Sequence, residues 1–393
     1  MSKTSTPPTG APNRSAFSDL KGASKLAIDA VTGITNIVED LHRNIKGLSP
    51  IVGKEPTGNA GGISGFVYSS VRGVTKLVGK GLDVGIDGAL KTLTPLLGEQ
   101  SASPRREAVL SALNGIFGDY LEATSNPLTI SMKLRQNGSS LQVNNQPANG
   151  KLLVLVHGLC MNDVQWLRDG HDHGADLAKA LGYTPIYLNY NTGRHIAANG
   201  QEFSFILQQL TNEWPHQITE LTIIGHSMGG LVTRSACHYA AQANHSWIKH
   251  LKKLAFLGSP HHGAPLEKGG SWVDLLLGIS PYSAPFAKLG KVRSAGIKDL
   301  RKGTIVDASV IEPVALPKNV QCFAIAATNS ESASIKNLVG DGLVSVNSAL
   351  GKHKNPDLTL PIPKNHTNIH YGLNHFDLLS SKAVYADLHR WLG

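Results

Sequence analysis

The run Lys151-Leu152-Leu153-Val154-Leu155-Val156 is the segment that most narrows what this chain can fold into. After its lysine it has no polar alternation, so it cannot lie as a strand with one face in water. A strand of this composition is buried on both faces, the situation of a largely parallel sheet covered by helices on each side. Strand-like segments recur at 185–188, 221–224, 253–257, 320–326 and 368–371, with helical patterns over 175–181, 202–213 and 381–392 set among them. Upstream, residues 129–134 alternate, Asn137-Gly138 is a hairpin turn signal, and 140–143 returns as a second short strand. Strands that alternate with helices predict an α/β fold with a doubly wound, mostly parallel sheet, whose ligands collect at the carboxyl ends of the strands.

One strand end carries the chemistry. Leu221-Thr222-Ile223-Ile224 runs straight into Gly225-His226-Ser227-Met228-Gly229, and a helical stretch follows from Leu231 to Cys237. G-x-S-x-G in a strand-turn-helix setting holds a serine hydroxyl clear of the backbone and beside amide donors, which is what a serine needs to become a nucleophile. Gly225 and Gly229 flank Ser227 where a Cβ would clash with a neighbouring strand or helix, and the helix N-terminus turns the Met228 amide toward a developing oxyanion. Such a serine requires a base, and the base an orienting acid. Of the 17 histidines, His375 is the preferred base, because its loop follows the last strand and precedes the terminal helix; His366 and His370 precede or lie within that strand. Asp341, between Gly340 and Gly342, is the preferred acid, with Glu331 and Asp377 as alternatives. The order Ser, Asp, His is the one expected of this fold class. The second oxyanion donor is expected to be the amide of Leu159, after the His157-Gly158 turn.

These motifs resemble the α/β-hydrolase superfamily of serine lipases and esterases, in particular its bacterial lipase-like and GPI inositol-deacylase-like branch. The resemblance covers the chain from about residue 151 to its end. It rests on Val156-His157-Gly158-Leu159, Gly225-His226-Ser227-Met228-Gly229-Gly230-Leu231-Val232, Leu257-Gly258-Ser259-Pro260-His261-His262-Gly263-Ala264, Gly340-Asp341-Gly342-Leu343-Val344 and the His375 loop. Membership implies carboxylic-ester hydrolysis through an acyl-enzyme, without a metal or organic cofactor in the chemistry.

The rest of the chain bears on substrate and setting. Residues 1–13 read as a flexible tail without the apolar stretch of a signal peptide, and residues 14–124 as a helical region with helices near 18–41, 65–93 and 105–121. The helices are expected to serve as packing or as a docking surface for a membrane, a polymer or another subunit; the hydrolase domain is expected over 125–393, with a cap insertion at about 264–319. The substrate contacts expected are His157, Gly158, Tyr190 and, in the cap, Trp272, and the substrate itself is a lipid-like or short acyl ester. His171-Asp172-His173 and His261-His262 lack converging further ligands and read as hydrogen-bonding loops, so no metal site is expected. The net charge of +9 suits solubility or contact with anionic surfaces, while no interleaving of aromatic and basic residues indicates a nucleic-acid partner. Three scattered cysteines and the lack of a membrane-spanning run point to free thiols in the cytoplasm, with peripheral membrane contact as an option. Two other readings stay open: an acyltransferase using the same triad, or a surface- or partner-binding protein with the hydrolase fold as an inert scaffold.

Overall fold

A computed structural model describes residues 104–146, 149–264, 294–307, 313–331 and 340–393. The two helices expected within 18–93, and most of the cap with Trp272, lie outside the described residues. Eight strands form one sheet: β1 (Lys133–Gln136), β2 (Ser139–Ser140), β3 (Lys151–Val156), β4 (Thr184–Asn189), β5 (Glu220–His226), β6 (Leu251–Leu257), β7 (Gln321–Thr328) and β8 (Thr367–Tyr371). Their spatial order is β2-β1-β4-β3-β5-β6-β7-β8. From β4 to β8 every neighbouring pair is parallel, and the β1–β2 hairpin is antiparallel at one edge. The chain steps from β3 outward to β4 and then back across β3 to β5. The crevice between the carboxyl ends of β3 and β5 is therefore the switch point, where this architecture places ligands.

The apolar run that opened the sequence reading is β3, and its side chains divide as a strand's must. Leu152, Val154 and Val156 point into one core, and Leu153 and Leu155 into the core on the opposite face. The first face is covered by α1 (Pro104–Ala123), α3 (Ile196–Glu213), α4 (Met228–Ala243) and α5 (Ala295–Lys302); the second by α2 (His173–Leu181) and α7 (Lys382–Leu392). A single turn, α6 (Val346–Ala349), lies beside β7. No helix among the described residues is long and apolar enough to cross a membrane.

Three elements differ from the sequence expectation, the first and the last for a tertiary reason. The strand expected over 129–134 enters the ladder only at Lys133, because Asn114 on α1 captures the backbone before it: its Oδ1 accepts from the Ile130 amide at 2.9 Å, and its Nδ2 donates to Leu128 O at 2.8 Å. Asn137 and Gly138 do form the turn, both with positive φ, but the return strand is only Ser139–Ser140, and Val143–Asn145 is a 3-10 turn. The helix expected over 202–213 begins six residues earlier, at Ile196. Gly200, a weak helix former in isolation, lets α3 close on α4: a Cβ there would stand 2.0 Å from Ser235 Oγ.

The helix expected over 105–121 is α1, and it belongs to the sheet's own core. Leu110, Leu113, Ile116 and Leu121 pack in the same cluster as Val154 and Ile223. Asn191 Nδ2 donates to Gly118 O at 2.9 Å, and Ser294 Oγ to Gly115 O at 2.7 Å, so α1 also anchors the loop after β4 and the start of α5. Leu121 is fully buried. Leu121→Ala is expected to lower unfolding free energy by ~2–5 kcal/mol, read as a shift of one cooperative transition in chemical denaturation. An unshifted main transition would show that α1 unfolds independently of the sheet.

Candidate active site

Ser227 sits between the end of β5 and the first residue of α4, with φ 53° and ψ −122°. A residue with a Cβ is strained in this region of backbone space, which persists only where the surroundings enforce it. The surroundings do so through three missing side chains. A Cβ on Gly229 would stand 2.1 Å from Val156 O, one on Gly225 would stand 2.6 Å from Gly230 N and Cα, and one on Gly158 would reach 3.0 Å from Ser227 Cβ. The start of α4 thus lies directly on the end of β3, and the loop after β3 lies against the serine.

That loop is held from behind. Tyr190 Oη donates to His157 O at 2.8 Å, the His157 ring stacks on the Tyr190 ring at 4.5 Å, and the Cys160 amide donates to Thr192 Oγ1 at 3.1 Å. His157 Nδ1 donates to Gly158 O at 2.9 Å. Neither the Leu159 amide nor the Met228 amide donates a hydrogen bond among the described residues. His157 and Tyr190, expected as substrate contacts, are almost wholly buried and act here as the frame of the loop, while Gly158 is the residue of the loop that meets the serine.

The proposed base and acid meet in the interior. His375 Nδ1 donates to Asp341 Oδ2 at 2.6 Å, and the His375 amide donates to Asp341 O at 3.2 Å. Asp341 Oδ1 accepts from the Leu343 and Val344 amides at 3.0 and 2.8 Å, so one carboxylate both closes its own loop and orients the imidazole. His375 Nε2 is buried and has no hydrogen-bond partner. With Nδ1 carrying the proton, Nε2 presents a lone pair. Of the other carboxylates considered, Asp377 Oδ2 accepts from the Asn374 amide, and Glu331 is exposed. His366 Nδ1 bonds Cys322 O and His370 Nε2 bonds Asp387, so neither reaches this site.

Sequence reading missed the part played by His226. Its Nε2 donates to His375 O at 3.1 Å, and its ring lies 4.8 Å from that of His375. Burial, with the His375 ring next to it, holds it well below the ordinary histidine value, so it is a neutral donor that ties the end of β5 to the backbone of His375. Its position inside the serine motif was the only available signal. His173 performs a similar task one turn on, its Nε2 bonding Leu378 O at 2.9 Å while its Nδ1 meets His171 Nε2 at 2.7 Å. His171 and His173 thus face each other and the protein, and no group of three or more His, Cys, Asp or Glu suited to a metal occurs among the described residues. Cys160, Cys237 and Cys322 are free and buried, and burial raises all three thiols.

Residues 147–339 match the family model described as "PGAP1-like alpha/beta domain". The chain has an α/β-hydrolase fold. The matched segment of this chain holds Ser227 and Leu159 and ends just before Asp341. Among solved structures, the chain is similar to the mature form of Bacillus licheniformis lipase BlEst2, at 17% identity and a TM-score of 0.44, over 67% of this chain and 98% of that one. It is also similar to Aspergillus fumigatus lipase B, at 13% identity and a TM-score of 0.43, over 94% and 83% of the two chains. Pyrobaculum calidifontis esterase aligns at 10% identity with a TM-score of 0.43, over 76% and 95%. No curated protein matches this chain.

Two expectations follow from the site's geometry. Ser227→Gly removes the Cβ from a positive-φ position and is expected to stabilise the fold by ~1 kcal/mol or more, measured by thermal denaturation; a lower melting temperature would show that the elbow is not strained. Burial also pushes His157 and His173 down to about 4 from an ordinary 6.5. Between those values the unfolded chain binds protons that the folded chain excludes, so stability is present above pH 6.5 and is lost as pH falls toward 4. Each ring contributes on the order of 3 kcal/mol, and a melting temperature flat across that window would contradict their neutral burial.

Proposed function

We propose that this α/β hydrolase cleaves carboxylic esters through an acyl-enzyme on Ser227. The observation that carries the reading is the buried His375 whose Nδ1 is held by Asp341 while its Nε2 has no partner. A buried acceptor without a donor is costly to keep, and a base that takes a proton during reaction accounts for it. Ser227, on a strained turn at the switch point of the sheet, supplies the hydroxyl.

The reaction then runs in two halves. His375 Nε2 takes the Ser227 proton as Oγ attacks the ester carbonyl, and the resulting imidazolium is stabilised by Asp341. The oxyanion is received by the Leu159 and Met228 amides, both free to donate. Collapse expels the alcohol with the proton from His375 and leaves Ser227 acylated. Water, activated by the same base, attacks the acyl carbonyl; the carboxylic acid departs and Ser227 regains its proton. The substrates proposed are lipid-like or short acyl esters, with Trp272 of the cap insertion as an acyl contact and no cofactor in the steps.

Ser227→Ala is expected to lower kcat for p-nitrophenyl esters by at least ~10⁴ with an unchanged melting profile. A fluorophosphonate probe is expected to label wild type at Ser227 alone. A folded protein that neither labels nor hydrolyses any ester in a chain-length series would exclude this function.

A further inference from the structure

We propose that Arg234 and His261 form a binding site for a short-chain organic carboxylate, separate from the Ser227 centre. Arg234 lies on α4, seven residues after Ser227, and is only 6% exposed. Its Nη2 donates to Val314 O at 2.8 Å and its Nη1 lies 3.5 Å from His261 Nδ1, but its Nε has no acceptor. Among the described residues no carboxylate lies within ion-pair distance of it. Burial pushes the guanidinium down to about 10, the direction expected of a cation taken from water without a counter-charge. A buried charge in that condition is costly, and structures retain one where an anion completes it.

His261 carries the same deficit. It is fully enclosed, and burial beside Arg234 holds it well below the ordinary histidine value, so the ring is neutral. Its Nδ1 faces a guanidinium, which only donates, and must therefore be the bare nitrogen; Nε2 carries the hydrogen and has no acceptor. The side chains that carry these two unpaired donors, Arg234 and His261, both border one cavity of about 370 Å³. Apolar side chains such as Val306 and Leu360 form part of its wall. Asp307 and Asp357 also border it, but Asp307 Oδ2 is already engaged by Tyr239 Oη and Gln201 Nε2, and Asp357 is exposed.

The missing partner is an acceptor with negative charge. A guanidinium fork matches a planar carboxylate through parallel N–H donors, and the apolar wall favours an organic tail over a hydrated inorganic anion. The site lies on α4 and on the loop after β6, so it stands whether or not Ser227 is a nucleophile.

Calorimetric titration of the full-length protein with 4-bromobutyrate at constant ionic strength is expected to give saturable binding, weakened roughly tenfold or more in Arg234→Met and also weakened in His261→Phe, which keeps an aromatic ring but loses the donor. Crystals grown with the same probe are expected to show bromine in the cavity beside Arg234, a readout that needs no variant. Absence of saturable binding, equal affinity in a folded Arg234→Met protein, or bromine found only beside Ser227 would each overturn the assignment.

Discussion

The contact on which this structure turns is the one between Gly229 and the end of β3. With no Cβ at Gly229, the first turn of α4 rests on the Val156 carbonyl, and that closeness makes room for nothing but a sharp, positive-φ turn at Ser227. The same approach brings the loop carrying Gly158 and Leu159 against the serine. A larger residue at Gly229 would push the helix from the strand and relax the turn. The local strain at Ser227 is held by the burial of a whole helix face, a far larger contribution than the few kcal/mol such a conformation costs.

Around this turn, neutral buried histidines do structural work. His157 bonds its neighbour's carbonyl, His226 bonds the carbonyl of His375, and His173 bonds the carbonyl of Leu378. Each ring donates one proton to a backbone oxygen that no helix or strand satisfies, and burial keeps each of them uncharged. The His375 loop is therefore pinned at two carbonyls, three residues apart, from the end of β5 and the start of α2. His375 stands apart from these rings because its partner is a carboxylate; its far nitrogen is unpaired, as are His157 Nε2 and His226 Nδ1. The same accounting of donors and acceptors that marks His375 also marks Arg234 and His261, where hydrogen-bonding capacity remains unspent beside a cavity.

Much of this was legible before any coordinates. The β3 run gave its own limits to the residue, because five apolar residues buried on both faces after Lys151 tolerate no shift of boundary. The serine turn was legible because glycine spacing and the change from strand to helix period coincide there. Asp341 was harder: the segment around it has no periodicity, and only its flanking glycines distinguished it from Glu331 and Asp377. The strand expected over 129–134 was misjudged because Asn114, distant in sequence, takes the backbone bonds that alternation alone would assign to a ladder. His157 and Tyr190 were expected to face a substrate because both follow strands; that they stack on each other behind the loop depends on the distance between two strand ends, which sequence does not encode locally.

Sequence by itself determined the layered α/β class, the strand that is buried on both faces and the serine turn, since each follows from side-chain period and from where a Cβ can be tolerated over a few neighbouring residues. Tertiary structure decided which carboxylate holds which histidine, that α1 belongs to the sheet's core, and which polar groups remain unpaired. Those are matters of long-range meeting. Hydrogen bonds between residues 341 and 375, or 114 and 130, and the want of one at Arg234 Nε, exist only once helices and loops have packed together on the sheet.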